Sequence, residues 1–131
     1  MKSYKELDAW KLSMELARRI YEITTTFPAR ETYGLSSQMQ RAAVSVPSNI
    51  AEGSGRNSRK EFVQFIYLSR GSLLELETQI ELSKMLGYIQ EDKYSETAKL
   101  IARVHKIING LIFSLKNSRT THNPQPTTSE G

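Results

Sequence analysis

A proline inside an apolar helical row is the strongest constraint this chain carries. Leu35, Met39, Ala42, Val46 and Ile50 recur at steps of three and four, one face of a helix, and Pro47 sits among them. Proline in a helix interior removes one backbone hydrogen bond and clashes with the carbonyl four residues back, at a cost of ~3 kcal/mol or more. A chain that keeps Pro47 there is expected to bend this second helix and re-aim its end toward the third. Asn49 and Glu52 follow on the next turn. They either contact a ligand or RNA, or satisfy backbone groups freed by Pro47 and pair with Arg41 or Arg70. Arg41, Pro47, Asn49, Glu52 and Arg70 are therefore expected to form a structural polar network at the kink.

The remaining pattern is also helical. The first helix is expected from about Lys5 to Thr25, with Leu7, Trp10, Met14, Ala17 and Tyr21 as its inner row and Leu16, Ile20 and Ile23 widening it. Ser3 and Glu6 have capping-box spacing, and Phe27-Pro28 ends the helix. The second helix is expected to start near Ser36 or Ser37, with Ser37 and Gln40 as a capping box, and to stop at Gly53-Ser54-Gly55. Ser58 with Glu61 marks the start of the third, which runs to about Leu86 and ends at Gly87. Its inner row is Phe62, Ile66, Ser69, Leu73, Leu76 and Ile80. A second apolar set, Val63, Tyr67, Leu68, Leu74 and Leu82, lies off that row. A helix apolar nearly all round is buried on more than one side, so a partner is expected, most simply another copy of the chain. Val63, Tyr67 and Leu74 are the candidate oligomer interface. The fourth helix is expected from Glu91 to Asn117, with Tyr94, Ala98, Ile101, Val104, Ile108, Leu111 and Leu115 inside. Residues 118–131 hold no apolar side chain and read as a disordered tail. The fold class is thus all-α: an antiparallel up-down four-helix bundle over 1–117 with a Pro-kinked second helix.

At 131 residues the chain makes one domain. The absence of cysteine excludes a disulfide framework and thiolate zinc sites, and suits a reducing compartment. Charges at Lys2, Lys5 and Glu6 stand where a signal peptide would place its apolar core. No apolar run nears the ~20 residues of a membrane span. A cytoplasmic location with no membrane partner is expected.

Chemistry of other kinds finds little support. Glu75, Glu77 and Glu81 crowd the third helix, but the acid-x-x-His pairs of di-iron bundles are missing, so no metal is expected. His105 lacks an evident orienting acid, no cysteine nucleophile exists, and Gly53-Ser54-Gly55-Arg56 lacks the pattern of a phosphate loop. The expectation is no enzyme and no cofactor. The basic residues remain. The net charge is +4, and no acidic residue occurs between Thr97 and Ser129. Lys99, Arg103 and Lys106, at i, i+4 and i+7, share one face of the fourth helix. Arg56, Arg59 and Lys60 cluster at the turn into the third. Both groups are candidate nucleic-acid contacts through phosphates, and no aromatic residue interleaves with them as in single-strand binders.

Several runs carry a resemblance: Tyr4 to Trp10 (YKELDAW), Arg41 to Gly53 (RAAVSVPSNIAEG), Glu61 to Phe65 with Gly71 to Gln79, and Leu86 to Ile89. In this order they resemble the 23S rRNA intervening-sequence protein family, also called the four-helix bundle protein family, over about residues 4 to 116. The family's pattern often has Ser or Thr where this chain has Gln90. The resemblance implies a small helical bundle and a homo-oligomer, commonly a ring of five. A distant relative, the accessory protein of diversity-generating retroelements, binds nucleic acid and a reverse transcriptase through a basic ring. Two expectations follow: an oligomer, expected as a pentamer, that binds RNA or DNA, or an oligomeric scaffold for another protein. A small-ligand binder at the Asn49–Glu52 kink is a third.

Overall fold

The computed structural model describes residues 3–122. Four α-helices make up the fold: α1 (Asp8–Thr24), α2 (Leu35–Ser54), α3 (Arg59–Met85) and α4 (Glu91–His122). Short 3₁₀ turns at Tyr4–Glu6 and Ala29–Glu31 precede α1 and α2. No strand occurs among the described residues. The expected tail, 118–131, overlaps the last turn of α4, and its residues 123–131 lie outside the described residues.

Each helix packs on two others. α1 lies against α2 and α4, α2 against α3, and α3 against α4. Early α2 meets late α3: Met39 is beside Ser83, Ser45 beside Ser72, Val46 beside Ser69 and Gly53 beside Phe62. α3 therefore runs back along α2. Tyr94 with Glu81, His105 with Glu77, and Asn109 with Arg70 show α4 running back along α3 in the same way. Leu16, Ile20, Met39, Val46, Ile50, Ile66, Leu73, Leu76, Ile80, Ile101, Val104 and Ile108 are fully buried and form one core. Removing side chains of this size from water is worth roughly 1.5–3 kcal/mol each, the main force holding the helices together.

The inner rows of α2 and α3 lie where the periodicity predicts. That of α1 is turned. Leu16, Ile20 and Ile23 face the core, while Met14 and Tyr21, expected inside, are 45% and 46% exposed. The apolar stripe of α1 is wider than the face it buries, and the branched chains take the centre.

Helix starts follow two different rules. Ser58 caps α3 as expected, its Oγ accepting from the Glu61 N–H at 3.1 Å. Ser3 accepts from Lys5, so it caps the 3₁₀ turn and not α1, which begins only after extended Leu7. The Ser37–Gln40 box does not form. α2 starts at Leu35, whose N–H is taken by the Glu31 carboxylate at 3.1 Å, and Gln40 donates to Thr24 Oγ1 instead. α4 starts at Glu91 as expected, and Asp92 Oδ1 takes the Lys93 N–H.

Helix ends differ as well. α3 stops before Gly87, whose φ of +80° suits glycine. Gly53, expected as a left-handed stop, instead lies inside α2 and is buried. A Cβ there would stand 2.6 Å from the Cβ of Phe65, so glycine serves the close approach of α3. α2 continues through buried Pro47 as one element.

Candidate nucleic-acid interface

Three exposed cations stand in a row on α4. Lys99, Arg103 and Lys106 have no hydrogen bond or ion pair with any described residue. Toward the C-terminus the same face continues through Gly110 and the 69% exposed Phe113, which carry no charge, while Glu96, one turn before Lys99, is paired with Arg19. Unpaired cations on one helix face keep their full attraction for an anion.

The second cluster divides in two. Arg56 is held by Glu52 at 2.9 Å and lies 4.6 Å from the centroid of the Phe65 ring. Arg59 and Lys60 have no hydrogen bond or ion pair with any described residue. With Lys116 of α4 they border a groove of about 550 Å³ that Val63, Gln64, Tyr67 and Leu115 also line. Lys116 Nζ donates to Tyr67 Oη at 3.1 Å. Aromatic rings thus do stand among these charges, contrary to the reading of the sequence. Lys60 and Tyr67 share a face of α3 at i, i+7, whereas Lys116 joins them only because α4 runs back along α3, a relation no short window of sequence contains.

Of the proposed interface residues, Val63 and Tyr67 line this groove, while Leu74 lies elsewhere. Leu74 is 51% exposed on the outer side of α3, together with Leu68, Leu82, Met85 and Leu86. A Cβ at Gly71, in the middle of that face, would meet nothing within 4 Å. The α3 pattern therefore supplies one buried face and one apolar face turned outward.

The five residues expected around Pro47 do not form one network. Glu52 pairs with Arg56, not with Arg41. Arg70 donates to Asn109 Oδ1 at 2.8 Å and lies 5.0 Å from the Tyr67 ring centroid. Arg41 is exposed, with no hydrogen bond or ion pair among the described residues. Asn49 does bond backbone, but its Nδ2 goes to the Ser45 carbonyl at 2.9 Å and to Ser45 Oγ at 3.0 Å. The carbonyl that Pro47 deprives of an N–H is that of Ala43. The polar partners at this seam are serines: Ser69 Oγ donates to the Val46 carbonyl at 2.8 Å, and the Ser45 and Ser72 hydroxyls are 2.8 Å apart. Ser69 stood within the inner row of α3 in the sequence. A hydroxyl in an apolar row was the available signal.

Two further ties join α3 and α4 or the two links. His105 does have an acid beside it, since Glu77 Oε1 is 3.4 Å from its Nε2. That pair was hidden because the two residues lie on separate helices. At the other end, Glu31 accepts from the Leu35 N–H and from the Tyr88 hydroxyl at 2.8 Å. Those two bonds, the backbone one foremost, hold its carboxyl below the usual carboxylate range. Tyr94 donates to Glu81, which raises its phenol. Among the described residues no group of three or more His, Cys, Asp or Glu could hold a metal.

Fold and surface together define a class: a small all-helical four-helix protein with cations and apolar side chains on its outer faces. The sequence matches the model of the family "23S rRNA-intervening sequence protein" over residues 5–110, and the chain belongs to that family. A solved structure of similar shape is that of a protein with unknown function from the S23 ribosomal protein family, from Bacteroides thetaiotaomicron VPI-5482. It is 23% identical with a TM-score of 0.71, and the match covers 79% of this chain and 97% of that chain. That likeness concerns the fold. No curated protein matches the sequence.

Proposed function

We propose that this protein is a non-enzymatic, cytoplasmic homo-oligomer that binds nucleic acid, RNA or DNA, through backbone phosphates and without a cofactor. The observation that carries the reading is the row Lys99, Arg103 and Lys106, exposed and without acidic partners. Arg59 and Lys60 add to it, whereas Arg56 is committed to Glu52. Assembly, expected as a pentamer, would place several such rows about one axis and raise the local potential for phosphates. The outward apolar side chains of α3 support assembly, because exposed apolar patches mark interaction surfaces. No described helix is long and apolar enough to cross a membrane.

Charge reversal tests the reading. Lys99→Glu with Arg103→Glu is expected to abolish nucleic-acid binding in a gel-shift assay while light scattering gives an unchanged particle mass. Unchanged binding by this variant would remove the row from the interface. The second reading, a scaffold for another protein, draws on the same outward face of α3. It gains if the wild-type particle assembles and binds no nucleic acid at low salt.

A further inference from the structure

Arg59, Lys60 and Lys116 line a groove together with apolar Val63 and Leu115, aromatic Tyr67 and the neutral Gln64, and no carboxylate lines it. Its volume, about 550 Å³, is that of a small-ligand cleft. Arg59 and Lys60 sit in the first turn of α3, where the helix dipole disfavours cations, so helix stability does not account for them. The Tyr67 phenol is set for use. Its oxygen accepts from Lys116 at 3.1 Å, which leaves its own O–H to donate, and no described residue accepts that proton.

We infer that this groove seats one nucleotide unit of a single-stranded nucleic acid. The inference rests on the nucleic-acid reading above and gives it a specific place. Arg59, Lys60 and Lys116 would hold the phosphate. The guanidinium of Arg59 can offer two parallel N–H bonds, and the Tyr67 hydroxyl donates a further one. Val63, Tyr67 and Leu115 would take the apolar face of the base. Cations beside an aromatic and aliphatic surface match the alternation of phosphate and base along a single strand. An acidic peptide offers the charge but nothing for the apolar surface. A base inside a duplex is stacked and paired, so reaching the groove would first cost its unstacking. The groove thus predicts a preference for single strands, which the row on α4 alone does not.

The test is fluorescence anisotropy with a short labelled single-stranded RNA and the duplex of the same sequence. The proteins are the full-length wild type, Tyr67→Phe, the double variant Arg59→Ala with Lys60→Ala, and Lys99→Ala with Arg103→Ala. Circular dichroism and light scattering accompany each. Tyr67→Phe keeps the ring and removes only the hydroxyl. It should weaken single-strand binding about fivefold and leave duplex binding unchanged. The Arg59/Lys60 double variant should lose roughly tenfold or more on the single strand and less on the duplex. The Lys99/Arg103 variant should lose on both alike.

Unchanged single-strand binding by both groove variants, with loss in the Lys99/Arg103 variant, overturns the groove and leaves the phosphate reading standing. Equal losses on strand and duplex overturn it too, since the groove then adds only charge. Displacement of the RNA by poly-glutamate at equal affinity assigns the groove to acidic peptides instead. A wild type that binds neither probe at low salt removes the reading and the groove together.

Discussion

At Gly53 the contact between two helices comes down to one missing methyl group. A Cβ there would lie 2.6 Å from Phe65 Cβ and 3.0 Å from Phe62 Cδ1. Alanine gains ~1 kcal/mol over glycine by helix propensity, but overpacking a fitted contact costs about 1–3 kcal/mol. Gly53→Ala is expected to lower the thermal midpoint, and a raised midpoint would show that α3 can move aside. Asn49 is a milder case. Its two bonds to Ser45 make Asn49→Ala worth about 1 kcal/mol in urea denaturation, with the bundle still folded. Glu31 carries the pH dependence. Its carboxyl is held below the usual range of 4.5 by Leu35 N–H and Tyr88. A depressed carboxylate contributes stability above its unfolded pKa, and the contribution is lost as pH falls through the folded value. Glu31→Gln should therefore be less stable than wild type at neutral pH. The gap should close as the solution is acidified below about pH 4.5, which chemical denaturation across pH would record. The bonds of Asn49 to Ser45 and of Glu31 to Leu35 span only four residues, but the other two contacts are not local enough to read from the sequence. Gly53 there resembles a helix stop, and Glu31 is separated from Tyr88 by two whole helices.

At the scale of the element, α3 carries the most information. Its inner row and Ser58 cap follow directly from spacing, because burial of one face and capping are both local to the helix. The start of α2 was not legible, since its cap comes from Glu31 in the preceding 3₁₀ turn and not from a Ser/Gln box. The buried face of α1 is rotated from the expected row because Met14 and Tyr21 widen its apolar stripe without being buried. The surplus apolar set on α3 was legible as a surplus, and two of its members, Val63 and Tyr67, proved to line the groove. The others point outward. Leu74→Glu with Leu82→Glu should leave far-UV circular dichroism intact, since both side chains are about half exposed. Light scattering should show a lower particle mass. An unchanged mass would exclude this side of α3 from the assembly.

For the whole molecule, charge placement sets the expected behaviour. The net charge of +4 is modest, but three cations of α4 are left without an ion pair among the described residues, since Glu96, one turn before Lys99, is taken by Arg19. Arg18, Arg19, Arg56 and Lys84 are each paired with glutamate, while Lys99, Arg103 and Lys106 are not. Helical spacing made that row visible in sequence, because three residues on one face need only one helix. The groove needed two helices and their direction, which the sequence does not state. Binding through phosphates releases counterions, so log affinity must fall linearly with log salt, at a slope of about −0.9 per phosphate contacted on duplex DNA. The most direct measurement is that slope, taken on the assembled particle with labelled nucleic acid. A linear fall is expected, and a shallower one for Lys99→Ala with Arg103→Ala. A particle that assembles yet binds nothing at low salt, or binds with no salt dependence, contradicts it.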